Sequence, residues 1–176
     1  TARGSAPGDA HPGRVRRVLC FSFAQMPAIH TILVPIDFSE PAGSSLGYAV
    51  VVSKPINSII VVMHADELPI YGFPDGALVA SVEVATRLMN SAQVGLDGMV
   101  ARYRGEARID TVLRQGVPWE EVHAVAEDVA ADLVIIGTHG RRGIARALIG
   151  SVAEKILRTS TRPVLTVHAE HRARRQ

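Results

Sequence analysis

One apolar run in this chain stops at a glycine and leads into a loop with unusual chemistry. Leu133-Val134-Ile135-Ile136 is followed by Gly137-Thr138-His139-Gly140, then by Gly143, and Gly150-Ser151 stands further on. Arg141, Arg142 and Arg146 lie between. Gly137 and Gly140 lack a Cβ, so backbone can approach a ligand there. A Gly150-Ser151 pair that opens a helix offers N–H groups, a hydroxyl and the positive end of the helix dipole. Glycines, arginines and a helix start together suit a phosphate chain. A second polar residue, Asp37, ends the earlier run Ile32-Leu33-Val34-Pro35-Ile36. Its charge is wrong for phosphate, but a carboxylate accepts hydrogen bonds from a ribose hydroxyl or an adenine amino group.

These residues act together only if the fold joins them. Residues 30–36 and 57–65 are short and β-branched, as buried strands are. Between them, Asp37 and Ser39 are cap residues, Pro41 suits a first helical turn, and residues 44–52 read as a helix weakened by Val50-Val51-Val52. Residues 66–76 read as an irregular loop with two prolines. Residues 77–103 read as a long helix, with Val84, Leu88, Ala92, Leu96, Met99 and Tyr103 on its apolar stripe. Gly95 and Gly98 are places where it would bend. Residues 108–116 alternate like a more exposed strand. Residues 117–131 open a helix with Pro118 near its start and Glu120 and Glu121 in the first turn. Residues 132–137 are a strand, 151–159 a helix, and Arg162 to His168 a last strand.

Strands that alternate with helices imply right-handed crossovers and a parallel sheet covered on both faces, an α/β fold. The first, second and fourth strands are almost wholly apolar and belong in the centre. The third and fifth carry Arg108, Asp110, Arg114, Thr166 and His168, and belong at the edges. The predicted order is the flavodoxin-like 3-2-1-4-5. Its ligand crevice opens where the winding reverses, between the carboxyl ends of the first and fourth strands. Pro35-Ile36-Asp37 and Gly137-Thr138-His139-Gly140 meet at that place.

The chain's net charge of +2 is the balance of basic ends against an acidic body. Residues 1–25 hold four arginines against Asp9, and residues 169–176 hold three against Glu170, which leaves residues 26–168 at −3. A nucleic-acid footprint needs a basic patch on the folded surface, so no nucleic-acid partner is expected. The single cysteine, Cys20, rules out a disulfide framework within the chain. No apolar run approaches the roughly 18 residues of a membrane helix, so no membrane role is expected and a cytoplasmic location is. Residues 1–25 are read as a disordered leader or upstream extension, with Met26 as the functional start. Residues 26–169 form the domain and 170–176 a basic tail. The absence of G-x-x-x-x-G-K-[ST] excludes a P-loop, and no G-x-G-x-x-G follows the first strand.

The chain resembles the universal stress protein family. The residues that carry the likeness are "ILVPIDFSEPA" near the start, "MHA" at the end of the second strand, and "DLVIIGTHGRRGIARALIGSVAEKILRTSTRPVLTV" at the end. The resemblance implies an adenine nucleotide alpha hydrolase-like sheet and membership of the branch that binds ATP, with or without Mg2+. Carried over by position, Pro35, Ile36 and Asp37 would meet the adenosine part and Ala65 would wall the adenine pocket. Gly137, Thr138, His139, Gly140 and Arg141 would line the nucleotide, and Gly150, Ser151 and Val152 would cradle the phosphates. The resemblance also implies a homodimer formed by pairing the Arg162 to His168 strands. Ala65 is smaller than the branched residue often found there. The helix after the first strand is less helix-prone than is usual in the family, and both ends of the chain lie outside its pattern.

Plainer readings stand beside these. An isolated G-x-x-G is commonly only a turn; here Gly150-Ser151 and Asp37 favour a ligand loop. Asp37 is also a helix cap. His139 has no nucleophile or carboxylate partner in the sequence and reads as a packing or hydrogen-bonding residue. His64 reads as structural, and His168 with His171 is a weak metal pair. Ser39 lacks a nucleophile elbow, and Trp119 reads as a packing aromatic. The reading that results is an ATP-binding stress-response module with no catalytic residue and at most slow hydrolysis. The alternative is a nucleotide hydrolase or nucleotidyl-transfer enzyme on the same fold; the missing general base and acidic metal cluster count against it.

Overall fold

The apolar runs of the sequence become one sheet. A computed structural model of the chain describes residues 28–67, 71–72, 78–79, 82–138 and 149–168. Five strands lie parallel: β1 (Thr31–Pro35), β2 (Ile59–Asp66), β5 (Arg108–Gln115), β6 (Leu133–Gly137) and β7 (Val164–Val167). Their order is β5-β2-β1-β6-β7, the predicted 3-2-1-4-5 when the five are numbered among themselves. Helices α1 (Glu40–Ile56) and α2 (Val82–Ala101) cover one face, and α3 (Pro118–Asp128) and α4 (Ser151–Thr159) cover the other.

Burial on both faces explains why the central strands read as unbroken apolar runs. Ile32, Val34, Ile60, Val62 and Ile135 pack with Leu46 of α1 and Leu96 of α2. Leu33, Val61, Met63, Val134 and Ile136 pack with Val122 and Val125 of α3 and Ile156 of α4. The edge strands keep polar residues because one side of each is open. On β5, Arg114 pairs with Asp128 of α3 at 2.7 Å.

Two elements depart from the sequence reading. Helix α1 runs well beyond residues 44–52. It starts under Ser39, whose hydroxyl accepts the Ala42 N–H, and stops at Asn57, which turns left-handed at φ 53°. Burial of Ala42, Leu46, Ala49, Val50 and Ser53 against the sheet outweighs the weak propensity of the valine run. The predicted irregular loop and the start of the long helix are also revised. β3 (Tyr71–Gly72) and β4 (Leu78–Val79) pair antiparallel, so α2 begins only at Val82. A short apolar run is ambiguous between helix and strand until a partner strand decides it. On α2, Ala92 and Leu96 are buried as predicted, whereas Leu88 is 40% exposed.

Asp132 closes the amino end of the sheet. Its carboxylate accepts the backbone N–H groups of Thr31 (3.0 Å) and His30 (2.7 Å), and these bonds hold its carboxyl below the ordinary range. No helix among the described residues is long and apolar enough to cross a membrane.

Candidate functional site

The winding reverses between β1 and β6. α1 leaves the end of β1 on one face, and α3 returns to β6 on the other. One wall of the resulting crevice is the turn after β1. Pro35 ends β1 in register with Met63 of β2. Ile36 is buried, and its N–H donates to the Met63 carbonyl at 2.9 Å. The Asp37 carboxylate accepts both the backbone N–H of Ser39 (3.1 Å) and the Ser39 hydroxyl. Ser39 rather than Asp37 therefore caps α1, and Asp37 is held as an oriented acceptor beside the cap. Phe38 between them adopts φ 63°, an uncommon conformation for a residue with a side chain.

The opposite wall is the end of β6. A Cβ on Gly137 would stand 2.9 Å from the carbonyl carbon and oxygen of Pro41. Glycine is needed there because the first turn of α1 rests on the strand. Thr138 is buried; its hydroxyl lies 2.7 Å from His168 Nδ1, and its N–H donates to Val167 at 3.0 Å. The side chain of Thr138 thus ties β6 to the end of β7. Its carbonyl accepts the N–H of Gly150 at 2.6 Å. That bond draws the start of α4 to the end of β6. Gly150 gives α4 no side-chain cap. The N–H groups of Ser151, Val152 and Ala153 precede the first intrahelical bond, from Glu154 to Gly150 at 2.8 Å.

The structure brings Pro35, Ile36 and Asp37 to one side of this crevice and Gly137, Thr138, Gly150, Ser151 and Val152 to the other. Ala65, near the end of β2, packs on the α3 and α4 face with Val152 and Trp119 against one cluster. His139, Gly140 and Arg141 lie outside the described residues, as do Arg142 and Arg146. Among the described residues, no three of His, Cys, Asp and Glu gather as a metal-binding group.

The model of the universal stress protein family matches residues 28–168, the sheet and all its helices. The chain belongs to that family. The universal stress protein MJ0531 of Methanocaldococcus jannaschii is 30% identical over 139 residues, 77% of this chain and 80% of its own length. Among solved structures, MJ0577 of the same organism is similar with a TM-score of 0.70 at 24% identity, over 82% of this chain and 99% of that one. A universal stress protein from Archaeoglobus fulgidus in complex with dAMP is similar with a TM-score of 0.57 at 21% identity, over 80% of this chain and 99% of that one. At these identities the two structures speak for the fold.

Within this member of the family, two residues beside the crevice carry more than the sequence suggested. His64 and Phe38 meet under the Asp37 turn, ring centroids 4.4 Å apart at 49°. His64 Nδ1 lies 2.7 Å from the Ile36 carbonyl. The sequence held one signal: His64 and Asp66 sit two apart on β2, and so share the face toward the turn. The partner of that face, a carbonyl one residue past β1, has no sequence signature.

Proposed function

We propose that the crevice between β1 and β6 binds an adenine nucleotide, ATP in the first instance, and that the protein is a regulatory binding module of the stress response. The observation that carries this is the Gly150 to Thr138 bond. It sets an uncapped helix N-terminus, a favourable place for phosphate, against the strand next to the oriented Asp37 carboxylate. Phosphates fit the N–H groups of Ser151 and Val152, and Gly140 and Arg141, which lie between β6 and α4 in the sequence, are proposed to join them. The nucleoside fits Asp37, with Ala65 toward the base. The dAMP complex of the Archaeoglobus fulgidus relative supports the ligand class. Mg2+ would travel on the phosphates, as the described residues gather no cluster of their own for it.

Binding rather than rapid turnover is the proposed role. His64 is committed to the Ile36 carbonyl and His168 to Thr138, so neither is placed as a base for an attacking water. The protein is further proposed to be a cytoplasmic homodimer. β7 is an edge strand of the sheet, and Leu165 on it is 40% exposed; an open apolar edge is a template for a second copy. Residues 26–169 are taken as the working domain.

Thermal unfolding with and without ATP tests the site. Gly150 has φ −58° and ψ 147°, which valine also adopts, so Gly150→Val crowds the phosphate position without straining the backbone. A ligand at about a hundred times its Kd adds about 2.7 kcal/mol to stability. The unmodified chain is expected to show that upward shift and Gly150→Val to lose it while staying folded. A full shift in the folded variant, or none in the unmodified chain, rejects the reading.

A further inference from the structure

We propose that His64 is a positioning residue for the nucleoside side of the crevice, acting on Asp37 through the carbonyl of Ile36. The proposal rests on the nucleotide reading above. His64 lies on β2 with only 3% of its surface exposed, in a run of isoleucines and valines. A buried imidazole is costly unless its nitrogens find partners. Nδ1 faces a carbonyl, which only accepts, so Nδ1 carries the proton and donates it to Ile36. Residue 36 is thereby gripped twice from β2: its N–H by the Met63 carbonyl, its carbonyl by His64. Nε2 faces Asp66, whose Oδ2 is 2.9 Å away but out of line for a hydrogen bond. Both nitrogens face other atoms of the chain, Nδ1 the Ile36 carbonyl and Nε2 the Asp66 carboxylate, which fits a positioning role.

The turn beyond Ile36 explains why the grip matters. Phe38 sits in the left-handed region, and such a residue persists only where its surroundings over-determine it. The Phe38 ring lies on the His64 imidazole, in a niche that exists because residue 95 is glycine; a Cβ there would come within 2.8 Å of the ring. The Asp37 carboxylate is aimed by its bonds to Ser39, across this same turn. A ring that holds the carbonyl before Asp37 and the side chain after it therefore sets where the carboxylate points. Simple filling of core space would need neither the donor nor its direction.

The test measures the Kd of AMP by calorimetry on the full chain, since AMP loads the nucleoside side with one phosphate. His64→Phe keeps the ring and removes the donor. His64→Asn returns an amide N–H near the Nδ1 position. Loss of one directed hydrogen bond corresponds to about tenfold weaker binding. His64→Phe is expected to lose about tenfold, and His64→Asn to return within about threefold of the unmodified chain. In an Asp37→Asn background, His64→Phe is expected to add nothing, because the effect passes through Asp37. Unchanged AMP binding in His64→Phe, failure of His64→Asn to recover it, or a full further tenfold loss in the Asp37→Asn background overturns the inference and leaves the nucleotide reading standing. If His64→Phe does not fold, His64→Asn decides alone: about tenfold weaker binding overturns the inference and near-normal binding supports it. Absence of AMP binding by the unmodified chain overturns the inference, while the ATP-induced thermal shift decides the nucleotide reading separately.

Discussion

Gly137→Ala should damage the fold before it damages any ligand site. The added Cβ would stand 2.9 Å from both the carbonyl carbon and the oxygen of Pro41, and 3.1 Å from the Pro41 Cβ. Carbon atoms in comfortable contact are about 3.5–4.0 Å apart, so α1 and β6 must separate by roughly 0.5–1 Å. The obstacle is main chain at the start of a helix whose buried face is packed on the sheet, and it cannot swing aside as a flexible side chain would. Overpacking of this kind costs about 1–3 kcal/mol. Taking about 2 kcal/mol, and about 3–5 °C per kcal/mol for a domain of this size, the Tm should fall by about 6–10 °C. Differential scanning calorimetry without nucleotide measures it. Pro41→Ala should not rescue the variant, because the nearest atoms belong to the backbone that alanine keeps. A Tm within about 1 °C of the unmodified chain would refute the packing argument and return Gly137 to the ligand loop alone.

Asp132→Ala should lower the Tm at neutral pH by removing two acceptors from the Thr31 and His30 amides. The folded carboxyl titrates below its ordinary value near 4, so its contribution is complete above that value and is lost as pH falls through the folded pKa. The Tm gap between variant and unmodified chain should thus be full at about pH 5–7 and narrow as the pH falls below about 4; a gap that stays constant as the pH is lowered contradicts the assignment. Leu165→Lys places a charge on both sides of the proposed β7 seam and should raise the dimer dissociation constant at least about a hundredfold by analytical ultracentrifugation, since each copy loses about 1.5–3 kcal/mol of apolar burial. An unmodified chain that sediments as monomer at micromolar concentration removes the seam itself.

The sequence alone determined the sheet. Unbroken apolar runs for β1, β2 and β6, polar interruptions in β5 and β7, and helices between them leave few arrangements once crossovers are right-handed. The ends of β1 and β6 then fall side by side, so Asp37 and Gly137 can be paired from the residues alone. The start of α4 at Ser151 was equally legible, because a Gly-Ser pair ahead of an amphipathic stretch is a local signal. The extent of α1 was not, since its valines form helix only through burial against a sheet made of distant strands. β3 and β4 were missed for a similar reason: two-residue strands exist only by pairing with each other. The tertiary structure also decided what individual site residues do. Gly137 is small for the sake of Pro41, Thr138 turns toward His168, and Gly150 gives its N–H to Thr138. His64 looked like one more buried residue of β2 until the Ile36 carbonyl was seen 2.7 Å from its Nδ1. A hydrogen bond between a side chain and a carbonyl 28 residues away leaves no periodicity in the chain, because its direction is set by where two strands stop and not by either strand's own residues.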